Sequence, residues 1–176
     1  MRTDRLQQEY GVELVMRVFP LHPDTPEEGM ELSEMFAGRE AMIAAMQARL
    51  TQIAAAEGLP LNLRSRTYNS RRAQELGKWA ESRGAGPRFH HAVYQSYFVE
   101  GINIGLIAPL VAIAESVGLS ADEARSVLET GSFAQAVDTD WQRSRDLAIS
   151  AVPTHLYGSK RLAGFSSYDD FVRLIS

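Results

Sequence analysis

Val152-Pro153-Thr154-His155-Leu156-Tyr157-Gly158-Ser159-Lys160-Arg161-Leu162-Ala163-Gly164-Phe165 reads as extended backbone folded once on itself. Thr154 to Tyr157 and Arg161 to Phe165 are short β runs, and Gly158 with Ser159 supplies the turn, so the segment predicts a hairpin. After it, Tyr168 to Ile175 repeats apolar residues at helical spacing, with Phe171, Val172 and Ile175 inward. Far upstream, Val12 to Phe19 is β-branched and apolar with only Glu13 and Arg17 charged, the pattern of a mostly buried strand. A lone strand so distant from a hairpin makes sense only if the two share a sheet, with everything between them inserted.

The inserted stretch is helical. Pro20, Pro23 and Pro26 end regular structure after the strand, since each lacks an amide donor and restricts the residue before it. Met35, Phe36, Met42, Ile43, Met46, Leu50 and Ile53 then recur in steps of three and four, predicting a helix of about twenty residues interrupted at Gly38 and ended by Gly58 and Pro60. Further helices are expected over Ser70 to Ser82, with Ala73, Leu76, Trp79 and Ala80 on one face, over Pro87 to Phe98, and over Ile107 to Val117. Ser120 and Glu123 have capping-box spacing and start another, to Glu129. Ser132 opens the last, whose Ala136, Trp141, Leu147 and Ala148 are expected to face a core. At the other end, residues 2 to 10 are strong helix formers and Gly11 suits a left-handed cap. The predicted fold class is α/β: residues 1–31 and 150–176 form the sheet portion, and 32–149 a large all-helical insertion.

Composition narrows the function. A chain of 176 residues, 45% hydrophobic and 23% charged, suits one globular core and argues against disorder. The most apolar piece, Ile102 to Val117, is broken by Asn103, Gly105 and Pro109, so no membrane span is expected and the protein reads as soluble. Residues 1–10 lack the apolar core of a signal peptide, which makes the cytoplasm the expected compartment. A net charge of −4 gives no electrostatic reason for nucleic-acid binding. Arg64, Arg66, Arg71 and Arg72 form a local basic cluster, read as a solvated helix start with an anion site as the alternative. The chain contains no cysteine, so none of its own residues can form a disulfide, a thiolate metal site or a thiol nucleophile.

Other chemistry is sparse. His90 and His91 are adjacent, so on a helix they diverge by about 100° and chelate poorly; no metal ligands are predicted. His22 lies in the proline-rich turn, and His155 falls in the strand after Pro153, where it is a candidate general base. Asp138, Asp140 and Asp146, with Glu123 and Glu129, read as an acidic, solvated helix surface. Trp79, Trp141, Tyr94 and Tyr97 read as core or groove walls.

Three segments carry a family resemblance. Val152-Pro153-Thr154, placed just before a hairpin and a terminal helix, resembles the cis-proline loop of thioredoxin-fold proteins. Val18-Phe19-Pro20-Leu21-His22-Pro23-Asp24, followed by Glu27, Glu28 and Gly29, is similar to the segment after the first helix of DsbA-like proteins of the FrnE group. Ala92 to Ile104, with Tyr97-Phe98-Val99-Glu100-Gly101, resembles that group's insertion helices. The resemblance runs from Leu6 to Ile175 and implies a thioredoxin-like fold of DsbA type. A sister group, the 2-hydroxychromene-2-carboxylate isomerases, shares this architecture and uses glutathione.

The departures matter as much. The resemblance places Cys-x-x-Cys, or a Ser in the isomerases, on a strand and helix start ahead of Met1, so the expected fold is truncated at its N-terminus. Gly164-Phe165-Ser166 stands where relatives often have Gly-Ala-Gln. The resemblance implies that Val152 offers its backbone amide and carbonyl to an extended peptide or to glutathione, that Pro153 shapes the loop, and that no catalytic residue lies in the chain. A central strand would then be missing between Val12–Phe19 and Thr154–Tyr157. Residues outside the chain, a second copy in a homodimer, or direct pairing of the remaining strands would fill the slot. Three functions follow from the resemblance: a thiol–disulfide oxidoreductase acting on protein substrates, its cysteines lying outside this chain; a glutathione-dependent isomerase; or a non-catalytic peptide-binding or structural protein. No cofactor is expected, with glutathione, through the isomerase resemblance, as the alternative.

Overall fold

The computed structural model describes residues 2–176. It comprises two compact units, one running up to Phe19 and resuming over Asp138–Ser176, the other Pro20–Val137.

The second unit is built on helices. After a two-residue strand β1 (Met30–Glu31) come α2 (Leu32–Met35) and α3 (Glu40–Ala56), separated at Gly38, whose φ of 77° breaks the helical path. Thus the helix expected from Leu32 is two helices, with the break at the predicted glycine. Strand β2 (Arg66–Thr67) pairs antiparallel with β1, Met30 opposite Thr67 and Glu31 opposite Arg66. Helices α4 (Arg71–Ser82), α5 (Gly86–Tyr94), α6 (Ile107–Ser116) and α7 (Ala121–Thr130) follow. Leu76, Trp79, Phe89, Leu110, Ala114 and Ala124 bury the facing stripes of these helices in one apolar cluster. Ser120 accepts a hydrogen bond from the Glu123 amide, as the capping-box spacing predicts for the start of α7. Beyond α5 the backbone widens into a π-helical turn, Gln95–Val99, which no sequence signal announced. The apolar stripe of α3 is only partly inward: Ile43 and Ile53 are half-buried, while Met42, Met46 and Leu50 are exposed.

In the first unit, α1 (Arg2–Tyr10) ends at Gly11, in the left-handed region at φ 65°. Helix α8 (Ala134–Asp146), which belongs to this unit from Asp138 on, is followed by the hairpin β3 (Thr154–Tyr157) and β4 (Lys160–Ala163), and then by α9 (Tyr168–Ile175). The hairpin register sets Thr154 opposite Ala163 and Tyr157 opposite Lys160. A reciprocal capping box between Ser167 and Asp170 starts α9, which buries Phe171 and Leu174; Val172 and Ile175, expected inward, are half-buried. Arg2 and Arg5 of α1 lie over the Phe165 and Tyr168 rings, and Tyr168 donates to Glu9, tying α1 to α9.

Two expectations are corrected. Val12–Phe19 is not a strand, and it shares no β-ladder with Thr154–Tyr157: the ladders of the described residues are β1–β2 and β3–β4. A strand is a property of a pair, and this segment has strand composition but takes part in no ladder among the described residues. Asp140, read as part of a solvated acidic face, is 3% exposed. The buried stripe of α8 is Val137, Asp140 and Ser144, with Trp141 and Leu147 half-buried and Ala148 exposed.

Candidate functional site

The loop entering β3 has its conformation set by neighbours on both sides. The Val152–Pro153 peptide bond is cis. The Gly164 amide donates to the Pro153 carbonyl at 2.8 Å, and Thr154 Oγ1 donates to the Ala151 carbonyl at 2.6 Å. Between these fixed points Val152 is 43% exposed, and neither its amide nor its carbonyl meets a partner among the described residues. Among the described residues strand β3 pairs with β4 along one edge alone, and Leu156 and Tyr157 are exposed beside it. A residue whose amide and carbonyl have no partner among the described residues, at the head of a strand edge that carries no ladder among them, can pair with an extended chain by strand addition.

His155 stands two residues beyond Pro153, and its ring meets Phe171 of α9 edge-on at 4.7 Å. Its Nδ1 is shut off from solvent without a hydrogen-bond partner. Desolvation lowers its pKa below the ordinary 6.5, which favours the neutral imidazole. With Nδ1 enclosed, only Nε2 is left for proton transfer, so the candidate base has one usable face.

The extended segment before Pro20 is held by a buried carboxylate. Asp140 accepts from the Val18 amide at 3.1 Å and from Arg17 Nη1 at 3.0 Å. Leu14, Val15 and Met16, farther from this anchor, are exposed. The sequence reading put Asp140 on a solvated face; its spacing of three from Val137 and four to Ser144 places it on their stripe instead, and that is the signal which marks it.

The other singled-out residues scatter. His22, at φ 52°, is exposed with its ring edge-on to Phe36 at 5.8 Å. His90 Nε2 lies 3.3 Å from Glu81, and His91 is exposed. Among the described residues no group of three or more His, Cys, Asp or Glu side chains is arranged to hold a metal ion. No described helix is long and apolar enough to cross a membrane. Trp79 is core, 3% exposed. Of the clustered arginines, Arg66 pairs with Glu31 at 2.8 Å, Arg71 with Glu75 at 2.6 Å and Arg72 with Glu27 at 2.5 Å. Among the described residues Arg64 has no ion-pair partner, and its guanidinium lies over Tyr97 and Phe98.

Comparison with known proteins bears directly on this fold. A structure described as a "probable DsbA oxidoreductase" of Streptomyces coelicolor superposes with a TM-score of 0.88 at 24% identity, covering 99% of this chain and 80% of that one. A 2-hydroxychromene-2-carboxylate isomerase superposes with a TM-score of 0.75 at 20% identity, covering 98% of this chain and 83% of that one. At these identities the likeness speaks for the fold. An uncharacterised protein of Bacillus subtilis, YwbO, is 32% identical over 99 residues, which is 56% of this chain and 50% of that protein. The chain thus matches about half the length of that relative. The model of the DSBA-like thioredoxin domain matches residues 1–176, from end to end. A helix-rich fold with few strands, a hairpin followed by a terminal helix, and that full-length match lead to one conclusion: the chain belongs to the DsbA-like thioredoxin-domain family.

Proposed function

We propose that this chain supplies the substrate-binding half of a DsbA-type thiol–disulfide oxidoreductase, with Val152 and Pro153 as the binding loop and an extended stretch of a thiol- or disulfide-bearing protein as the substrate. What carries the reading is Val152, a residue 43% exposed whose amide and carbonyl have no partner among the described residues, at the head of a strand edge that carries no ladder among them. Two main-chain hydrogen bonds there would align the substrate in register, and the apolar Val152, Leu156 and Tyr157 side chains would contact alternate substrate residues. The thiolate that attacks sulfur in disulfide exchange is not among these 176 residues, which contain no cysteine, so the proposal assigns them binding and orientation but not the bond-breaking step. The same open edge supports a homodimer formed by edge pairing.

The test is binding of a fluorescein-labelled, cysteine-alkylated decapeptide to the purified chain, read by anisotropy. Parallel peptides are N-methylated at odd or at even positions. Strand addition uses the amides of alternate residues, so one methylated series should bind about tenfold more weakly while the other is unchanged. Amide NMR shifts should concentrate at Val152 and Thr154–Tyr157. Equal binding by both series, or shifts confined to other residues, would refute the proposal. Competition by glutathione at the same amides would favour the isomerase type, and turnover of insulin disulfides by this chain alone would contradict the chemistry.

A further inference from the structure

Among the described residues, Arg64 is the cation in its cluster without a counter-ion. Its three basic neighbours in sequence are neutralised by Glu31, Glu75 and Glu27. Its own guanidinium rests 4.5 Å from the Tyr97 ring centre and 5.0 Å from that of Phe98, and its Nε is sealed from solvent with no acceptor. A half-buried guanidinium with no counter-ion among the described residues can offer its remaining donors to an anion, and such charge-assisted pairs are the strong ones. Arg64 lines a cavity of about 310 Å³ whose walls include Leu63, Tyr68, Tyr97, Phe98 and Glu100.

The walls are held in place before any ligand arrives. Asn62 donates through its amide to Phe98 at 2.9 Å and through Nδ2 to the Val99 carbonyl at 2.7 Å, joining the loop to the π-helical turn. Thr67 Oγ1 and Tyr97 Oη are hydrogen-bonded at 2.9 Å, and Tyr68 meets Tyr97 edge-on at 6.3 Å. π-Helical turns recur at functional sites because the extra backbone residue re-aims side chains, and here the turn carries Tyr97 and Phe98. A preformed site loses little conformational entropy on binding.

We propose that this cavity binds a small aromatic carboxylate, its carboxylate on Arg64 and its ring against the Tyr68, Tyr97 and Leu63 walls. Three features select that class. The planar guanidinium suits a carboxylate fork. Aromatic and apolar walls suit a flat ring, and the volume lies at the small end of ligand clefts, which run from about 300 to 1,000 Å³, enough for one or two rings. Glu100, exposed on the same lining and without an ion-pair partner among the described residues, repels a second negative charge, which favours a monoanionic carboxylate over a phosphate dianion. Every residue of the site belongs to the Pro20–Val137 unit, so the proposal does not depend on the role given to Val152.

The experiment is calorimetric titration of the purified chain with 2-naphthoate, its neutral isostere 2-naphthamide, and 2-naphthyl phosphate. Saturable one-to-one binding of 2-naphthoate is expected, with the amide about tenfold weaker and Arg64→Met weakened by a similar factor. Glu100→Gln should tighten the carboxylate by a few-fold and the phosphate by more, since the phosphate carries the greater charge. Leu63 is 64% exposed, so Leu63→Glu leaves the core intact while placing a competing carboxylate at the cavity; it should weaken 2-naphthoate even where Arg64→Met folds poorly. The proposal is overturned by any of three results: no saturable heat with 2-naphthoate, equal affinity for acid and amide, or affinity indifferent to both Leu63→Glu and Glu100→Gln.

Discussion

Replacing Asp140 with alanine removes a carboxylate that is 3% exposed and holds the Val18 amide at 3.1 Å and Arg17 at 3.0 Å. The two lost bonds are unequal. Arg17 has a side chain 56% exposed and is rehydrated once released, so its share is that of a surface pair, up to about 1 kcal/mol. The bond from the half-buried Val18 amide to a charged acceptor is worth more, about 1.5–3 kcal/mol. Asp140→Ala should therefore cost about 2–4 kcal/mol, a fall of roughly 5–15 °C in Tm for a chain of this size. Asp140→Asn keeps an acceptor for Val18 and should lose about half as much, and Arg17→Ala less again. Urea unfolding followed by tryptophan fluorescence, to which Trp141 beside the site and the core Trp79 both contribute, measures all three. In the Asp140→Ala protein, limited proteolysis should cut first within residues 12–19, where the anchor has gone. A loss below about 0.5 kcal/mol, or Arg17→Ala proving the worst of the three, would refute the assignment of Asp140 as the anchor of this segment.

Three further outcomes follow from local geometry. His155 has a folded pKa below its ordinary 6.5, so the unfolded chain binds the additional proton; its contribution to stability is present above pH 6.5 and is lost as pH falls toward the folded pKa, and His155→Phe should flatten the stability profile between pH 7 and 5. Gly29 has φ 86°, and a Cβ there would lie 2.6 Å from the Thr67 carbonyl oxygen, a backbone atom that no rotamer change relieves, so Gly29→Ala should cost more than about 2 kcal/mol in a denaturant titration and disrupt the β1–β2 pair. Ala148 is exposed at φ 49°, where Arg161 donates to its carbonyl at the end of α8, so Ala148→Gly should raise stability by about 0.5–1 kcal/mol in thermal unfolding, and a loss would contradict the left-handed cap.

Sequence alone determined what depends on neighbours along the chain. The hairpin about Gly158 and Ser159, the break at Gly38, the cap of α7 at Ser120 and the course of α4 with Leu76 and Trp79 inward all rest on interactions within one turn of helix or one tight turn, and their residues are adjacent in sequence. The Val152-Pro153 loop was legible for the same reason, being defined by its place just before that hairpin. Only the tertiary structure decided what depends on distant partners. Val12–Phe19 has the composition of a strand but no ladder, because a strand needs a second backbone that the residue pattern does not specify. Asp140 and Arg64 look like ordinary surface charges in sequence; folding buries the one against Arg17 and Val18 and leaves the other without a counter-ion above Tyr97. A charge's environment is set by what arrives from more than a hundred residues away in the first case and by a loop meeting a π-helical turn in the second, and periodicity encodes neither.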